Sequence, residues 1–343
     1  MFSPRYTITD ALATNMREIG KIIGELNSKV LSSTVLTDME RDARVLSAHS
    51  STQIEGNPLP LTDVKKIIKS RPENLRDTER EILNYNKAIL MLDEDIRSAK
   101  VSDLSNVYIC KIQSVVMNDL ISQPYNGKYR TEPVFVNDPV KGETIYLPPD
   151  AKDVEPLMNE LIVFINESKK RVDPLIIAGL FHKQAVIIHP FMDGNGRTTR
   201  LVTKMLLAEL GINTFPLFSF ENYYNKNVTN YFKNVGVFGN YYEIAENINF
   251  TEWLEYFAIG IIDELNRVKS QLPQYEERIE SHHKKILEYI KEHGSITMRE
   301  YEGITDRARA TRIMDFKRLV DLEMISSVGV GKSTYYVLKR HSS

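Results

Sequence analysis

The twelve residues HPFMDGNGRTTR, at positions 189–200, lie where one predicted helix ends and another begins. The segment before them, LIIAGLFHKQAVII (175–188), is apolar enough for a buried helix, and Asp173 followed by Pro174 is a favourable helix start. The proline and the glycines of the stretch interrupt the chain, and RTTRLVTKMLLAELG begins a second helix that Gly211 closes. We therefore predict a helix–loop–helix whose loop leads into a helix N-terminus.

The loop has the composition of an anion site. Gly194, Asn195 and Gly196 can direct several backbone N–H groups at one point, and the helix dipole adds positive potential there. Arg197 and Arg200 are three residues apart, so they share a helix face and can clamp a polyphosphate with forked hydrogen bonds. The pattern predicts a site for a nucleotide polyphosphate.

Two further side chains supply reactive chemistry. Asp193 is a hard oxygen ligand suited to Mg²⁺ beside phosphates, and His189 can remove the proton from an attacking hydroxyl. Together with the anion site they indicate phosphoryl or nucleotidyl transfer. His182 lies two turns before His189, and a metal site of both histidines with Asp193 stays open, although a hydrogen-bonded structural histidine is the preferred interpretation of His182.

Composition excludes several classes of protein. The chain has 343 residues, 42% hydrophobic and 26% charged, which is typical of globular domains. The one cysteine, Cys110, rules out an intrachain disulfide and a cysteine-based zinc site, and we expect it to be a small buried residue. The N-terminus lacks a secretory pattern and no apolar run is long enough for a membrane span, so we expect a cytoplasmic protein with no membrane segment.

Most of the chain up to residue 270 is predicted to be helical, with one exception. Residues 128–150, KYRTEPVFVNDPVKGETIYLPPD, contain two short β-prone runs around a Pro/Gly turn, which indicates a hairpin. The first run is Val134, Phe135 and Val136. We predict an N-terminal helical region over 1–100 and a core over 101–270 that contains this hairpin.

Residues 281–340 are predicted to be a separate α+β domain in the order helix, helix, basic helix and β-hairpin, which is typical of a winged helix-turn-helix. We expect a linker around Pro273. Residues 281–343 hold twelve Lys and Arg against eight Asp and Glu, a net of +4. Arg307, Arg309 and Arg312 are therefore candidate DNA contacts, although such domains also bind proteins.

The stretch at 189–200 matches the signature HPFx(D/E)GNGRxxR at every defined position and resembles that of Fic-domain proteins. The hairpin resembles that family's target-binding flap, and SSTQIEGN (50–57) resembles its inhibitory motif, with Ser51, Glu55 and Gly56. The position of this motif before the core is similar to that in one class of the family, whose inhibitory helix precedes the catalytic domain. The resemblance implies a mainly α fold, a Fic helical core with a β-hairpin flap, followed by the winged-helix domain.

The resemblance also implies an activity: transfer of AMP from ATP to a Ser, Thr or Tyr hydroxyl of a protein, itself included, with release of pyrophosphate. By position, His189 is then the general base and Asp193 the Mg²⁺ (or Mn²⁺) ligand. The phosphates would be held by Gly194, Asn195, Gly196, Arg197 and Arg200, with Arg200 at the γ-phosphate unless Glu55 pairs with it. Tyr231 and Phe232 are the candidates for the adenine pocket, where relatives often have two tyrosines.

The protein substrate is expected to add its backbone as a strand at the edge of the hairpin. Two other functions stay open: removal of AMP by the same site, with Glu55 positioning a water, and DNA-binding regulation in which the core senses nucleotide. A homodimer is implied by the resemblance alone.

Overall fold

The computed structural model describes residues 1–29, 33–98, 103–137, 142–211, 218–276, 280–322, 324–329, 331 and 334–339. As predicted, the protein is mainly helical, with two small sheets. Its contacts divide into two compact units. One comprises residues 1–24 and 43–266, and the other comprises residues 25–42 and 267–343.

Helices dominate the chain up to the end of the first unit. They are α1 (Asp10–Asn27), α2 (Ser33–Ile54), α3 (Leu61–Ser70), α4 (Asp77–Arg97), α5 (Asn106–Val116), α6 (Ala151–Ser168), α7 (Pro174–Ile188), α8 (Asn195–Leu207), α9 (Glu221–Lys226), α10 (Val228–Val235), α11 (Tyr241–Ile244) and α12 (Thr251–Glu276). Short 3-10 turns follow α8 and α11.

Helix α7 forms the centre of the first unit, and almost all its side chains are buried. A helix that is apolar on every face must be covered on every face. The predicted start is confirmed: Asp173 caps the helix by accepting a hydrogen bond from the backbone N–H of Leu175. Gly179 lets α12 approach closely, because a Cβ there would lie 2.6 Å from a methyl carbon of Leu254. The indole N–H of Trp253 donates to the carbonyl of Gly179, 2.7 Å away.

A three-stranded sheet lies in the first unit. Strands β1 (Val136–Asn137) and β2 (Thr144–Leu147) pair antiparallel, and β2 also pairs in parallel with β3 (Gly239–Asn240). The predicted hairpin is present, although Val134 and Phe135 precede its first strand. The chain reversal at 138–141 lies outside the described residues.

The second unit contains the C-terminal elements in the predicted order. They are α13 (Ser281–His293), β4 (Ile296–Thr297), α14 (Met298–Gly303), α15 (Arg309–Asp321), β5 (Ile325–Val328) and β6 (Tyr335–Leu338). The strands form a sheet in the order β4-β6-β5, over a core that includes Ile286, Tyr301 and Phe316.

The linker predicted around Pro273 falls partly on residues 277–279, which lie outside the described residues. Helix α12 continues through this proline to Glu276. Proline removes one backbone donor, and one lost bond close to the end of a 26-residue helix does not stop it. Within the described parts of the chain, no helix is both long and apolar enough to cross a membrane.

Candidate active site

Helix α7 ends at His189, whose backbone is left-handed, with φ of 52°. This conformation is uncommon for a residue with a side chain, and neighbouring contacts must hold it. The buried guanidinium of Arg130 does so: its Nε donates to the carbonyl of His189, 2.8 Å away, and its Nη2 donates to the carbonyl of Pro149. The backbone N–H of Arg130 also donates to the carbonyl of Pro190. The start of the hairpin thus fixes the end of α7.

The imidazole of His189 is partly exposed and poised as a base. Its Nδ1 lies 3.4 Å from the carbonyl of Val186. A carbonyl only accepts, so this contact requires the proton on Nδ1 and leaves the lone pair of Nε2 free. Burial lowers the pKa of His189 to about 4, against smaller opposing contributions that include the charge of Glu55. The ring is therefore neutral at neutral pH.

Two glycines of the loop lie directly against other side chains. Gly194 has φ of 79°, and a Cβ there would lie 2.7 Å from the side chain of Met117. At Gly196 a Cβ would overlap Oε1 of Glu55. Asn195, expected to hold a phosphate, binds the loop itself: its amide accepts from the N–H of Phe191 and donates to the same residue's carbonyl, both at 2.8 Å.

Arg200 is completely buried and bound to helix α2, about 150 residues earlier. Its Nε donates to Oγ of Ser51 at 2.8 Å, and its Nη2 donates to the backbone carbonyl of Ser51 at 2.9 Å. The same Nη2 donates to Oε1 of Glu55 at 2.7 Å. Burial of Glu55 disfavours its charge, but the charges of Arg200 and Arg197 and the hydrogen bond from Arg200 outweigh it, so the pKa of Glu55 is lowered. The pair is therefore ionised at neutral pH.

The backbone explains why glycine follows Glu55. The N–H of Asn57 donates to the carbonyl of Thr52, and the N–H of Gly56 donates to the carbonyl of Gln53. Gly56 has φ of 95°. These two bonds and a left-handed glycine form a Schellman motif, which ends α2 with Glu55 as its C-cap residue. The turn directs the carboxylate of Glu55 over Gly196, where α8 begins.

Arg197, the second arginine of the stretch, is also bound to carboxylates. Its Nη1 lies 3.0 Å from Oε1 of Glu81 on α4, and its Nη2 lies 3.1 Å from Oδ1 of Asp193. Oδ1 of Asp193 also accepts from the N–H of Gly194. Oδ2 of Asp193 takes part in neither contact, and its side chain is largely exposed.

The adenine candidates have different environments. Tyr231 is only 1% exposed, and its hydroxyl lies 2.9 Å from Nε2 of His182. Nδ1 of His182 lies 3.0 Å from Oγ1 of Thr203, so this histidine is the hydrogen-bonded structural residue that we preferred. Phe232, in contrast, is 42% exposed. Among the described residues, His182 does not come together with His189 and Asp193 in the manner of metal ligands.

Cys110 is half-buried, and burial raises the pKa of its thiol to about 11. It is therefore a thiol and not a thiolate at neutral pH.

Two of the three candidate DNA-contacting arginines are held by carboxylates. Nε of Arg307 lies 2.8 Å from Oδ2 of Asp315, and Nη2 of the buried Arg312 lies 3.2 Å from Oε1 of Glu302. Arg309, at the start of α15, is exposed.

The cluster beside Arg307 has metal-ligand chemistry: atoms of His282, His283 and Asp315 lie within 4.8 Å of one another. The guanidinium of Arg307 also contacts Oδ1 of Asp315, at 3.1 Å, and therefore neutralises this carboxylate already. We interpret the cluster as a buried ionic network.

Sequence reasoning missed several residues that shape the site. Arg130 lies in the quoted hairpin and Asn57 in the quoted SSTQIEGN, but nothing local indicates their long-range partners. Glu81 was missed as the partner of Arg197. Gln113, fully buried, donates to the carbonyl of Asp193 and accepts from the N–H of Gly127. No periodicity marks such contacts.

Comparison with known proteins agrees with this geometry. Residues 103–207 match the Fic/DOC family. The chain therefore carries a Fic domain. The match begins before α5 and ends with α8, so it includes the whole of the 189–200 stretch.

Relatives and solved structures extend the likeness beyond that domain. A Nematostella vectensis protein named protein adenylyltransferase Fic is 29% identical over 182 residues, which are 50% of this chain and 39% of that protein. Protein adenylyltransferase fic-1 of Caenorhabditis elegans is 28% identical over 57% of this chain and 38% of its own length. The chain thus spans about two fifths of these relatives. A Fic family protein from Desulfovibrio desulfuricans G20 has the same fold along the whole of both chains, with a TM-score of 0.68 and 19% identity.

Proposed function

We propose that the protein transfers AMP from ATP to a hydroxyl group of a protein, itself included, and that Glu55 restrains this reaction. The observation that carries the proposal is the pairing of Glu55 with Arg200 inside a complete anion-binding loop that also presents His189. The names of the relatives, which describe protein adenylyltransferases, support the same reaction.

His189 would act as the general base. The target's hydroxyl oxygen attacks the α-phosphorus, its proton passes to the neutral Nε2, and the bond between the α-phosphorus and the bridging oxygen breaks. Pyrophosphate leaves with that bond pair. A phosphodiester then joins AMP to the target. The N-terminus of α8 and the two arginines would hold the phosphates during the step.

The residues fit a divalent cation. Asp193 is an exposed carboxylate beside the phosphate cradle, and its Oδ2 is outside the contacts with Arg197 and Gly194. Mg²⁺ or Mn²⁺ held by Asp193 and by phosphate oxygens would neutralise charge on the phosphates.

Inhibition follows from charge and position. The carboxylate of Glu55 binds the guanidinium of Arg200, which would otherwise bind the γ-phosphate. The same carboxylate lies where α8 begins, so its negative charge also repels an incoming phosphate. Loss of one charge-assisted hydrogen bond costs roughly 1.5–3 kcal/mol. This range corresponds to about one to two decades in affinity or rate.

A protein substrate would dock along the flap, residues 128–150. Strand β2 is paired on both sides, so β1 is the strand that can accept an added strand. Phe135, which is 60% exposed just before β1, offers an apolar contact.

Removal of AMP is a second candidate function. It is favoured by the lowered pKa of Glu55, which keeps its carboxylate ionised and able to orient a water. Supplying AMP-modified protein with Mg²⁺ or Mn²⁺ and measuring released AMP separates this reaction from transfer.

The order of elements in the second unit matches a winged helix, which makes DNA binding a third candidate function. Of the three candidate arginines, the exposed Arg309 alone supports it.

Intact-mass measurement tests the main proposal. We expect Glu55→Gly incubated with ATP and Mg²⁺ to gain the mass of one or more AMP groups and to release pyrophosphate. Glu55→Gly combined with His189→Ala should bind ATP and gain no mass. A Glu55→Gly protein that binds ATP without gaining mass would contradict transfer.

A further inference from the structure

Like Arg200, Arg197 is bound by an acidic residue that lies far from it in the chain. Glu81 of α4 places Oε1 at 3.0 Å from Nη1 of Arg197, and the arginine is only 4% exposed. With Asp193 on Nη2, both terminal nitrogens of the guanidinium face carboxylates. Among the described residues Nε of Arg197 has no hydrogen-bond partner, so phosphate oxygens that bind its terminal nitrogens must displace Glu81 or share these nitrogens with it.

Glu81 is also connected to the turn that carries Glu55. Its other oxygen, Oε2, accepts from Nδ2 of Asn57 at 2.8 Å. The second hydrogen of this amide goes to the carbonyl of Thr78, and its Oδ1 accepts from the N–H of Leu59. Asn57 is 5% exposed, and all of its side-chain donors are used.

One turn therefore reaches both arginines. Glu55 pairs with Arg200 directly, and Asn57, two residues later, orients the carboxylate that pairs with Arg197. Gly56 between them provides the left-handed backbone that makes the two directions possible. The two contacts share this rigid turn, so a change in one is expected to affect the other.

We propose that Glu81 is a second inhibitory carboxylate, which withholds Arg197 from ATP and is coupled to Glu55 through Asn57. This inference rests on the proposed function, because it assigns a regulatory role at the same nucleotide site. Its consequence is that removing Glu55 alone relieves only part of the inhibition. Arg197 stays engaged until Glu81 is displaced.

The test compares Glu81→Gln with a matched control on the same helix. Glutamine keeps the shape and can still accept from Asn57, but it lacks the charge that holds Arg197. Glu94→Gln makes the same change at an exposed position of α4. Both are made in the Glu55→Gly protein, and dissociation constants for ATP and for AMP are measured by calorimetry with Mg²⁺ present.

We expect Glu81→Gln to tighten ATP binding about tenfold, the size of one charge-assisted contact, and Glu94→Gln to leave it unchanged. AMP binding should be the same in all proteins, because the family resemblance implies that Arg197 holds the β- and γ-phosphates, which AMP lacks. A merely structural role of Glu81 would affect AMP as much as ATP. Unchanged or weaker ATP binding in Glu81→Gln overturns the inference.

Two further measurements complete the design. If Glu81→Gln does not fold, Glu81→Asp replaces it. This variant keeps the charge on a side chain one methylene shorter. It should also tighten ATP binding, and unchanged ATP binding to it overturns the inference. Label transfer from ATP is measured on the same proteins. Tighter ATP binding with no transferred AMP would contradict the proposed reaction and leave the role of Glu81 standing. AMP transfer with unchanged ATP affinity would support the proposed reaction and contradict the role of Glu81.

Discussion

Oε1 of Glu55 lies 2.7 Å from Nη2 of Arg200, although about 145 residues separate them in the chain. The same oxygen occupies the space that any side chain at Gly196 would need. The contact therefore joins the end of α2 to the start of α8, and most predictions about activity depend on it.

Removing the charge of Glu55 should activate the protein. Glu55→Gln keeps the shape but not the charge, and we expect it to raise the rate of self-modification by roughly tenfold or more. Ser51→Ala should raise it less, because the backbone carbonyl of Ser51 still accepts from Arg200. Initial rates of AMP incorporation measure both, and an equal or larger effect of Ser51→Ala would contradict this ranking.

The glycine after Glu55 should matter through its backbone alone. No atom lies within 4 Å of a Cβ built at Gly56, but its φ of 95° strains any other residue. We expect Gly56→Ala to lower the free energy of unfolding by about 1 kcal/mol. Gly20→Ala, in the exposed middle of α1, is the matched control and should raise it by about 0.5–1 kcal/mol. Chemical denaturation measures both, and the same sign for the two variants would count against the Schellman turn.

His189 should titrate far below an ordinary histidine. Its pKa of about 4 means that the folded protein keeps the ring neutral while an unfolded chain, at about 6.5, takes up a proton. The stability that this neutral ring contributes is present above pH 6.5 and is lost as pH falls through 4. NMR titration of the ring protons, assigned with His189→Ala, measures the value. A midpoint near 6.5 would contradict the burial of this site.

Arg130 should be a major determinant of stability. Its buried guanidinium satisfies the carbonyls of His189, Pro149 and Glu132, and methionine would leave these acceptors without their donor. We expect Arg130→Met to lower the free energy of unfolding by about 3 kcal/mol. Lys128→Met, at an exposed neighbouring position, should change it by less than about 0.5 kcal/mol. Similar melting temperatures for the two variants would refute this role.

If the second unit binds DNA, Arg309 should contribute and Arg312 should not. Arg309→Ala is expected to weaken binding to a DNA duplex and to reduce its salt dependence, because an exposed arginine can neutralise a phosphate. Arg312→Lys leaves a cation beside Glu302 and should bind as the parent does. Fluorescence anisotropy at several salt concentrations measures this. No binding of the parent at low salt would remove the DNA hypothesis.

The sequence predicted local secondary structure and could not predict contacts between residues that are far apart in the chain. The helix–loop–helix at 189–200, the capping by Asp173 and the order of elements after residue 280 follow from spacing, proline and glycine. The pairing of Glu55 with Arg200 was predicted from a family resemblance, since spacing carries no information on contacts across 145 residues. No family resemblance indicated a role for Glu81. It is one of several acidic residues on α4, and only the three-dimensional packing distinguishes it from Glu79 or Glu94.

The most direct test of the account uses ATP labelled at either the α- or the γ-phosphate, with Mg²⁺ and three proteins. These are the parent, Glu55→Gly, and Glu55→Gly combined with His189→Ala. We predict that α-label appears strongly on Glu55→Gly, weakly on the parent and not on the double variant, and that γ-label appears on none. Equal α-labelling of the parent and Glu55→Gly would contradict inhibition by Glu55, and labelling of the double variant would contradict His189 as the base.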